Sequence, residues 1–272
     1  MQKSLKYKET TFTINPYWVD PIVDFNTLSD RPLAIICPGG AFKFLSDRES
    51  QPIAFKFNSI GMHAIVLNYS LISEEKNVFP IALQELATTL NWVYSQRNER
   101  HIDVQKVVLI GFSAGGNVVA NYNSLMMNPS QREKIFPNNI LIEPSSNILS
   151  YPVVDLTIGW PKTNNARNEI TSEQVYWRAE KTLTKMGKPT FIWQTVTDEL
   201  VPVQNSLLYA SRMIELGIKC ELHLFGSGNH GLSLATYVTQ DKGYASQVSE
   251  NDAIWWDLMT NWLKLQNILP NK

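Results

Sequence analysis

The sequence predicts an α/β protein with a mostly parallel central sheet and helices on both faces. Short apolar runs typical of buried strands alternate along the chain with segments of helical periodicity, the pattern of such layered folds. A serine-centred turn joins one of these strands to a helix near the middle of the chain. Because 272 residues with 44% hydrophobic content can bury a full core, we expect residues 1–272 to form a single domain.

The first half of the chain shows this alternation in order. Extended segments are predicted over residues 8–19, and a buried strand over residues 33–37. Apolar side chains at helical spacing predict a helix over residues 51–60 and, after a strand around Ile65, a second helix over residues 83–93. Each helix is thus followed by an apolar strand.

The second half continues in the same way. Apolar runs predict buried strands over residues 107–110, 190–194 and 221–225. A helix is predicted over residues 204–216, and a C-terminal helix over residues 252–265 carries tryptophans that we expect to pack onto the sheet. No internal repeat or linker divides the sequence.

The pattern GFSAG over residues 111–115 directly follows the strand at residues 107–110. Glycines two positions either side of Ser113 allow the tight strand-to-helix turn that exposes a serine hydroxyl at the edge of a sheet. The helix that follows also aims its N-terminal amides at an oxyanion forming beside the hydroxyl. The pattern therefore predicts a nucleophilic serine, the alternative being an ordinary glycine-rich turn.

A serine nucleophile needs a general base, and the chain offers four histidines. His63 and His223 lie in apolar strand-like runs, where a structural role is expected, and His101 lies among charged residues typical of a surface. His230 instead follows the strand at residues 221–225 in a glycine-rich loop, at the end of the sheet where active-site loops gather. We predict that His230 is the base.

The loop containing His230, residues 226–231, also matches the dinucleotide-binding pattern G-x-G-x-x-G. This alternative is disfavoured because the loop lies near the C-terminus and no parallel βαβ unit clearly follows it. We expect no cofactor. A metal site is not expected either, because no histidine pair has a ligand-like spacing.

The acid that orients the base is expected in the loop after the preceding strand, residues 190–194. Asp198 lies in that loop and would hold the imidazole in the reactive tautomer. The alternative for Asp198 is a helix-capping or turn aspartate, and Asp155 is a weaker substitute as the acid. The chain order of Ser113, Asp198 and His230 is the order expected of an α/β-hydrolase.

A loop suited to binding an oxyanion follows the strand at residues 33–37 and reads PGGAF. Glycines let backbone amides approach a substrate oxygen closely, and a second oxyanion donor is expected in a loop at this position. We predict that the amide of Gly40 or Ala41 acts together with that of Ala114. The alternative is a simple Pro-Gly-Gly turn.

Together these motifs resemble the α/β-hydrolase superfamily, and more narrowly its bacterial acetyl-esterase and acetyl-xylan-esterase-like branch, which is related to hormone-sensitive lipase. The resemblance covers most of the chain. It rests on segments in the expected order at residues 37–40, 46–49, 67–70, 111–116, 151–154, 197–202 and 228–231. The His-Gly-Gly-Gly signature of the lipases is not intact, because Cys37 and Pro38 precede the glycines, as in the proline-containing variant of this branch.

The resemblance implies an α/β-hydrolase three-layer sandwich and a serine carboxylesterase. The expected substrates are short-chain esters, acetyl esters above all, cleaved through an acyl-enzyme with Ser113, Asp198 and His230 as the triad. The expected partner is a small-molecule ester, with acetylated sugars and xylan fragments among the candidates.

Residues 155–188 form the least regular segment, which mixes glycine, proline and asparagine with aromatic residues. We interpret this segment as a small cap inserted over the active-site side of the sheet, the alternative being an ordinary long connection. A cap would supply walls for the alcohol side of an ester substrate.

Candidate substrate-binding residues are aromatic. Phe42, Phe44, Tyr69 and Trp160 could shape an apolar or sugar-stacking wall, although each is individually more typical of a core. Residues 47–49, Asp-Arg-Glu, are candidates to face substrate hydroxyls, with a solvated surface turn as the ordinary interpretation.

The composition gives no reason to expect a nucleic-acid or membrane partner. The net charge is −1, and no apolar stretch is long enough to span a bilayer. The N-terminus lacks the apolar core of a signal peptide, and the two cysteines, Cys37 and Cys220, are expected to be reduced thiols. We therefore expect a cytoplasmic protein; the sequence leaves homo-oligomerisation open.

Two other functions are alternatives for a protein of this fold. A small serine peptidase would use the same triad on amides, but it would also need recognition of peptide ends. A non-catalytic ligand-binding protein of this fold is disfavoured because both Ser113 and His230 are present.

Overall fold

The computed structural model describes residues 2–21, 30–73 and 77–270, and in these residues eight strands form one sheet. The strands are β1 Lys3–Tyr7, β2 Thr10–Tyr17, β3 Arg31–Cys37, β4 His63–Asn68, β5 Ile102–Phe112, β6 Ser146–Ser150, β7 Thr190–Thr195 and β8 Cys220–Phe225. Their order across the sheet is β1-β2-β4-β3-β5-β6-β7-β8. β2 runs antiparallel to β1 and β4, and the remaining neighbours are parallel. The predicted mostly parallel sheet is confirmed.

Helices cover both faces of the sheet. They are α1 Gln51–Asn58, α2 Ile81–Arg100, α3 Ala114–Asn121, α4 Pro129–Ile135, α5 Asn164–Ile170, α6 Ala179–Thr182, α7 Gln204–Glu215, α8 Glu250–Ala253 and α9 Trp255–Leu265. Leu86 of α2, Val118 of α3 and Met213 of α7 belong to the core on one face, whereas Phe57 of α1 and Met259 of α9 belong to the core on the other. The α/β three-layer arrangement is therefore confirmed, and the predicted C-terminal helix is divided into α8 and α9.

The carboxyl ends of the parallel strands lie at one edge of the sheet. β3, β5, β6, β7 and β8 run in the same direction, so the loops that follow them emerge side by side. The loops after β3, β5, β7 and β8 contain the predicted oxyanion loop, Ser113, Asp198 and His230, respectively. The topology thus brings segments that are distant in sequence to one place.

The segment at residues 155–188 leaves the sheet after β6 and returns before β7. Its base is closed by an antiparallel bridge between Asp155 and Arg178, and the Arg178 Nε donates a hydrogen bond to Asp155 Oδ2 at 2.8 Å. Within it, the ring of Tyr176 stacks on Phe79 with centroids 5.3 Å apart. The segment is therefore closed on itself at its base and packed against the body of the protein through Tyr176.

After β8, the described residues up to 270 contain helices and turns but no further strand. The glycine-rich loop at residues 226–231 thus does not open a βαβ unit, which a dinucleotide site of this kind requires. No helix in the described part of the chain combines the length and apolar character needed to cross a bilayer.

Candidate active site

Ser113 occupies a strained turn between β5 and α3. Its backbone has φ 51° and ψ −115°, a conformation that residues other than glycine rarely adopt. The turn also requires glycine at its flanks: a Cβ at Gly115 would lie 2.0 Å from the carbonyl oxygen of Cys37, and one at Gly111 would lie 2.4 Å from that of Gly115. The GFSAG pattern is therefore explained by close backbone contacts.

The structure brings Ser113, His230 and Asp198 together in one hydrogen-bonded chain. His230 Nε2 lies 2.8 Å from Ser113 Oγ, and His230 Nδ1 lies 2.7 Å from Asp198 Oδ2. This is the geometry in which an imidazole can take the serine proton while the carboxylate stabilises the resulting imidazolium.

Asp198 is held rigidly. Its other oxygen, Oδ1, accepts hydrogen bonds from the amides of Leu200 and Val201 at 3.0 and 2.9 Å, and Gln194 Nε2 donates to Oδ2 at 3.2 Å. The carboxylate thus faces His230 while its remaining acceptor sites are occupied. Asp198 therefore agrees with both interpretations of the sequence. Its Oδ1 accepts the hydrogen bonds of a turn, and its Oδ2 lies against His230.

Three backbone amides near Ser113 are available to a substrate. Among the described residues, the N–H groups of Gly40 and Ala41 meet no protein acceptor, and that of Ala114 opens α3, where helix geometry provides none. Gly40 has φ 127° and Ala41 has φ 56°, so both lie in the left-handed region. The structure thus leaves both predicted candidates for the second donor in place.

Glu49 is a buried carboxylate beneath this loop that the sequence analysis did not single out as such. Its Oε2 accepts from the amide of Gly39 at 2.8 Å, and its Oε1 accepts from the Tyr151 hydroxyl at 2.6 Å. Burial raises the pKa of Glu49, and these two hydrogen bonds act in the opposite direction. Because its neighbours Asp47 and Arg48 are charged, hydropathy carried no signal of its burial.

Tyr151 links Glu49 to the histidine loop. Its hydroxyl accepts from the amide of Ser233 at 3.0 Å, and its ring meets the His230 ring edge-on with centroids 5.1 Å apart. Burial raises the pKa of Tyr151 well above its usual value, so the hydroxyl stays protonated and donates to Glu49. One buried network therefore supports both the loop after β3 and the loop that carries His230.

A cavity of about 510 Å³ opens onto Ser113 and His230. Its apolar wall includes Phe44, Trp160 and Leu200, and its polar wall includes residues 47–49. Of the predicted substrate-binding aromatics, Trp160 lines this cavity, whereas Phe42 and Tyr69 do not.

Phe42 and Tyr69 lie below the cavity in the core. Phe42 packs against Tyr69, Phe79 and Trp160, with ring centroids 6.0 to 6.4 Å apart. The Tyr69 hydroxyl donates to the carbonyl oxygen of Pro38 at 2.7 Å. Both residues are nearly inaccessible to solvent, so they support the wall and the loop above rather than contacting a ligand.

The other histidines lie away from this site. His63 is buried at the start of β4, His223 pairs with Glu221 on β8 at 2.8 Å, and His101 caps the C-terminus of α2. Asp155, the substitute acid, pairs with Arg178.

Both cysteines are free thiols whose pKa values burial raises. The pKa of Cys220 rises to about 12 and that of Cys37 rises further. Neither has the thiolate character that makes a cysteine reactive.

A mostly parallel sheet that presents a serine on a strand-to-helix turn, with an aspartate and a histidine after later strands, defines the class of α/β-hydrolase fold proteins. Residues 39–233 match the family described as alpha/beta hydrolase fold, and the chain belongs to that family.

The proteins similar to this chain include a carboxylesterase of known structure and an acetylxylan esterase. The chain is 44% identical to the carboxylesterase Cest-2923 from Lactobacillus plantarum WCFS1, with a TM-score of 0.98 over 100% of this chain and 99% of that one. It is 29% identical over 215 residues to endo-1,4-beta-xylanase B of Butyrivibrio fibrisolvens, and 26% identical over 237 residues to an acetylxylan esterase of Xylanibacter ruminicola. These matches cover 75% and 84% of the chain but only 33% and 44% of the two curated relatives, so the chain spans less than half of their length. Within the α/β hydrolase fold family, the chain is thus similar to a carboxylesterase and to an acetylxylan esterase.

Proposed function

We propose that the chain is a serine carboxylesterase that hydrolyses short-chain esters, with acetyl as the preferred acyl group. The observation that carries the proposal is the hydrogen-bonded chain from Ser113 through His230 to Asp198, which opens onto a cavity beside unpaired backbone amides. This arrangement supports acyl transfer because nucleophile, base and oxyanion donors are all within reach of one ester carbonyl.

In the first half of the reaction, His230 Nε2 takes the hydroxyl proton of Ser113 while Oγ attacks the ester carbonyl carbon. The carbonyl oxygen becomes an oxyanion that the amide of Ala114 and that of Gly40 or Ala41 stabilise. The imidazolium then gives its proton to the leaving alcohol oxygen, and the carbon–oxygen bond of the ester breaks. An acyl-Ser113 ester and a free alcohol result.

In the second half, His230 removes a proton from a water molecule that attacks the acyl carbon. The oxyanion forms again in the same cradle of amides. It collapses as the proton returns to Ser113 Oγ, which releases the carboxylic acid and restores the free serine. Asp198 carries no proton at any step; it holds the imidazole and stabilises its charged form.

The choice of acetyl esters rests on relatives and on the cavity. One matched relative is an acetylxylan esterase, and the site cavity combines an apolar side with hydroxyl- and charge-bearing residues suited to a polar alcohol. We propose that residues 155–188 act as a cap that contributes Trp160 to this cavity, within a single domain. Cytoplasmic location stays a prediction from the sequence, which leaves homo-oligomerisation open.

The Ser113→Ala variant tests the proposal directly. We expect kcat for p-nitrophenyl acetate to fall by a factor on the order of 10⁴ or more, because the nucleophile is lost while the cavity remains. An organophosphonate probe should label the wild-type protein and not the variant. Wild-type turnover by Ser113→Ala would refute the assignment.

Activity toward a series of p-nitrophenyl esters separates the acyl preference from the mechanism. We expect kcat/KM to be highest for acetate and to fall as the acyl chain lengthens. Hydrolysis of an aminoacyl-anilide in preference to the acetate ester would support the peptidase alternative. Absence of both activities and of probe labelling would support a non-catalytic binding protein.

A further inference from the structure

A second cavity of about 490 Å³ adjoins the cavity above Ser113. Three residues, Leu45, Asp47 and Arg48, line both cavities, so the two spaces meet at this point of the loop after β3. The second cavity extends from there over the antiparallel part of the sheet, where Asn15 and Tyr17 of β2 form part of its lining. A ligand anchored at Ser113 that extends past this shared wall would reach the second cavity.

The second cavity is lined by amide side chains that lack protein partners. Asn15 and Tyr17 are two positions apart on β2 and so present their side chains to the same face. Within the described part of the chain, the side-chain amides of Asn15, Gln51 and Gln240 make no hydrogen bond to protein groups, and Asn68 uses only its Nδ2, on Thr13 Oγ1 at 2.8 Å. Each free amide offers both donors and an acceptor.

Arg48 lies in the wall that the two cavities share, and a nearby carboxylate partly balances its positive charge. Its Nε donates to the carbonyl oxygen of Thr239, and its Nη1 lies 3.5 Å from Asp241 Oδ2. Its Nη2 is buried and has no hydrogen-bond partner in the structure. The positive charge of Arg48 is thus partly balanced by Asp241, and a second carboxylate, that of Asp47, lies in the same shared wall.

We propose that the second cavity is a binding site for the uncharged sugar rings of an oligosaccharide whose ester group reacts at Ser113. Hydroxyl groups both donate and accept, which matches the free amides, and the part of the half-buried Tyr17 ring that lines the cavity offers an apolar surface to a sugar. Because the carboxylates of Asp47 and Asp241 balance the positive charge of Arg48, the cavity does not favour a strongly anionic ligand. The amide-rich lining does not suit a long acyl chain either. The proposal rests on the proposed esterase function and adds the part of the substrate that lies beyond the reacting sugar.

Substrate length tests the proposal. We expect kcat/KM of the wild-type protein for acetylated xylotetraose to exceed that for acetylated xylose by about tenfold, a difference of about 1.4 kcal/mol in transition-state binding. In the Asn15→Ala/Gln51→Ala double variant, this length gain should fall to about twofold, with kcat/KM for p-nitrophenyl acetate measured in parallel as the reference for folding and chemistry. Acetylated cellotetraose, assayed beside the xylan-derived ester, reports which sugar backbone is preferred.

The matched control is Gln105→Ala. It removes an exposed side-chain amide near the start of β5, whereas Ser113 follows the end of that strand. It should retain the full length gain. A direct readout uses unacetylated xylotetraose and the Ser113→Ala protein in calorimetry: binding should be detectable, and the added Asn15→Ala and Gln51→Ala changes should weaken it by about tenfold.

The outcomes separate this proposal from the esterase function. Equal kcat/KM for the monosaccharide and tetrasaccharide esters, with p-nitrophenyl acetate still cleaved, would overturn the sugar site and leave the esterase. A length gain that the double variant retains would also overturn it, because the rings would then bind elsewhere. Undiminished turnover by Ser113→Ala would instead overturn the proposed function itself.

Discussion

At the scale of single residues, the strain at Ser113 is held by close packing around the turn. Gly115 lies so near the carbonyl group of Cys37 that the strand end of β3 and the start of α3 are in backbone contact. This contact places the oxyanion loop, which directly follows Cys37, beside the serine. Glycine at residue 115 is thus a requirement of the site geometry as well as of the turn.

Replacing Gly115 with alanine should therefore separate the two elements. The added Cβ would lie 2.0 Å from the Cys37 carbonyl oxygen, so we expect a loss of about 1–3 kcal/mol in the free energy of unfolding. The shift of the amides relative to Ser113 should also lower kcat about 10²-fold. Denaturant unfolding and p-nitrophenyl acetate kinetics measure the two effects. Gly226→Ala, where a Cβ meets nothing within 4 Å, should leave the free energy of unfolding unchanged within about 0.5 kcal/mol.

We expect Glu49 to be a positioning residue in the same region, because it fixes the amide of Gly39, the residue before Gly40 in the predicted oxyanion loop. We expect Glu49→Ala to lower kcat about 10- to 100-fold with little change in KM, since the amides act mainly in the transition state. Glu49→Gln should recover part of kcat by keeping one acceptor oxygen. The exposed neighbour of Asp198, Glu199, gives the control variant Glu199→Ala. A change in KM alone would show that Glu49 does not act through the oxyanion loop.

At the scale of secondary structure, the sequence predicted the residues that directly follow strands. Ser113, Asp198 and His230 each lie just beyond an apolar strand, and parallel strands bring such positions to one edge. The burial of Glu49 and Tyr151 could not be predicted, because it depends on contacts between segments that are distant in sequence. These two residues share a hydrogen bond although they are 102 positions apart. For the same reason, the sequence could not separate Phe42 and Tyr69, which pack in the core, from Trp160, which lines the cavity.

The base of the segment at residues 155–188 depends on Arg178. This side chain pairs with Asp155 at 2.8 Å and with Glu180 at 3.2 Å, and both carboxylates are buried. Burial raises the pKa of Glu180, while the nearby Arg178 charge lowers it. One cation thus pairs with two buried acids at the base of this segment.

We therefore expect Arg178→Ala to loosen the whole segment. The side chain is 43% exposed, so the loss should lie between that of a surface pair and that of a buried pair, about 2 kcal/mol. Hydrogen exchange should rise across residues 155–188, and trypsin should cleave there sooner. Arg212→Ala removes an exposed pair with Glu215 on α7 and should change neither. Unaltered exchange in Arg178→Ala would show that packing alone holds the segment.

At the scale of the whole molecule, the edge of the sheet where Ser113, Asp198 and His230 lie is linked by packing and hydrogen bonds to the core on the α9 face. The indoles of Trp193 and Trp255 stack with centroids 4.9 Å apart, and Trp255 Nε1 donates to the carbonyl oxygen of Ser233 at 3.0 Å. Ser233 in turn donates its amide to Tyr151, which packs against His230. The position of the histidine loop therefore depends on the same aromatic packing that stabilises the sheet.

The opposite edge of the sheet, at the start of β4, contains a buried histidine, His63, whose environment couples stability to pH. His63 Nδ1 accepts from the amide of Val19 at 3.1 Å, and Nε2 donates to the carbonyl oxygen of Arg100 at 2.8 Å. A proton on Nδ1 would break the first bond. Burial lowers the pKa of His63, as does the nearby Arg31, whereas Asp20 acts in the opposite direction.

Because the folded state binds this proton more weakly than the unfolded chain, the stabilising contribution is present above the ordinary histidine pKa of about 6.5. It is lost as the pH falls below that value and through the lower pKa of the folded state. We expect the free energy of unfolding to decrease between about pH 7 and pH 5, and to decrease less in His63→Gln, which cannot take up the proton. His101→Asn, at an exposed histidine, should keep the wild-type dependence. Equilibrium unfolding, rather than turnover, is the measurement, because the prediction concerns the stability of the fold. Parallel curves for wild type and His63→Gln would assign the pH dependence to other groups.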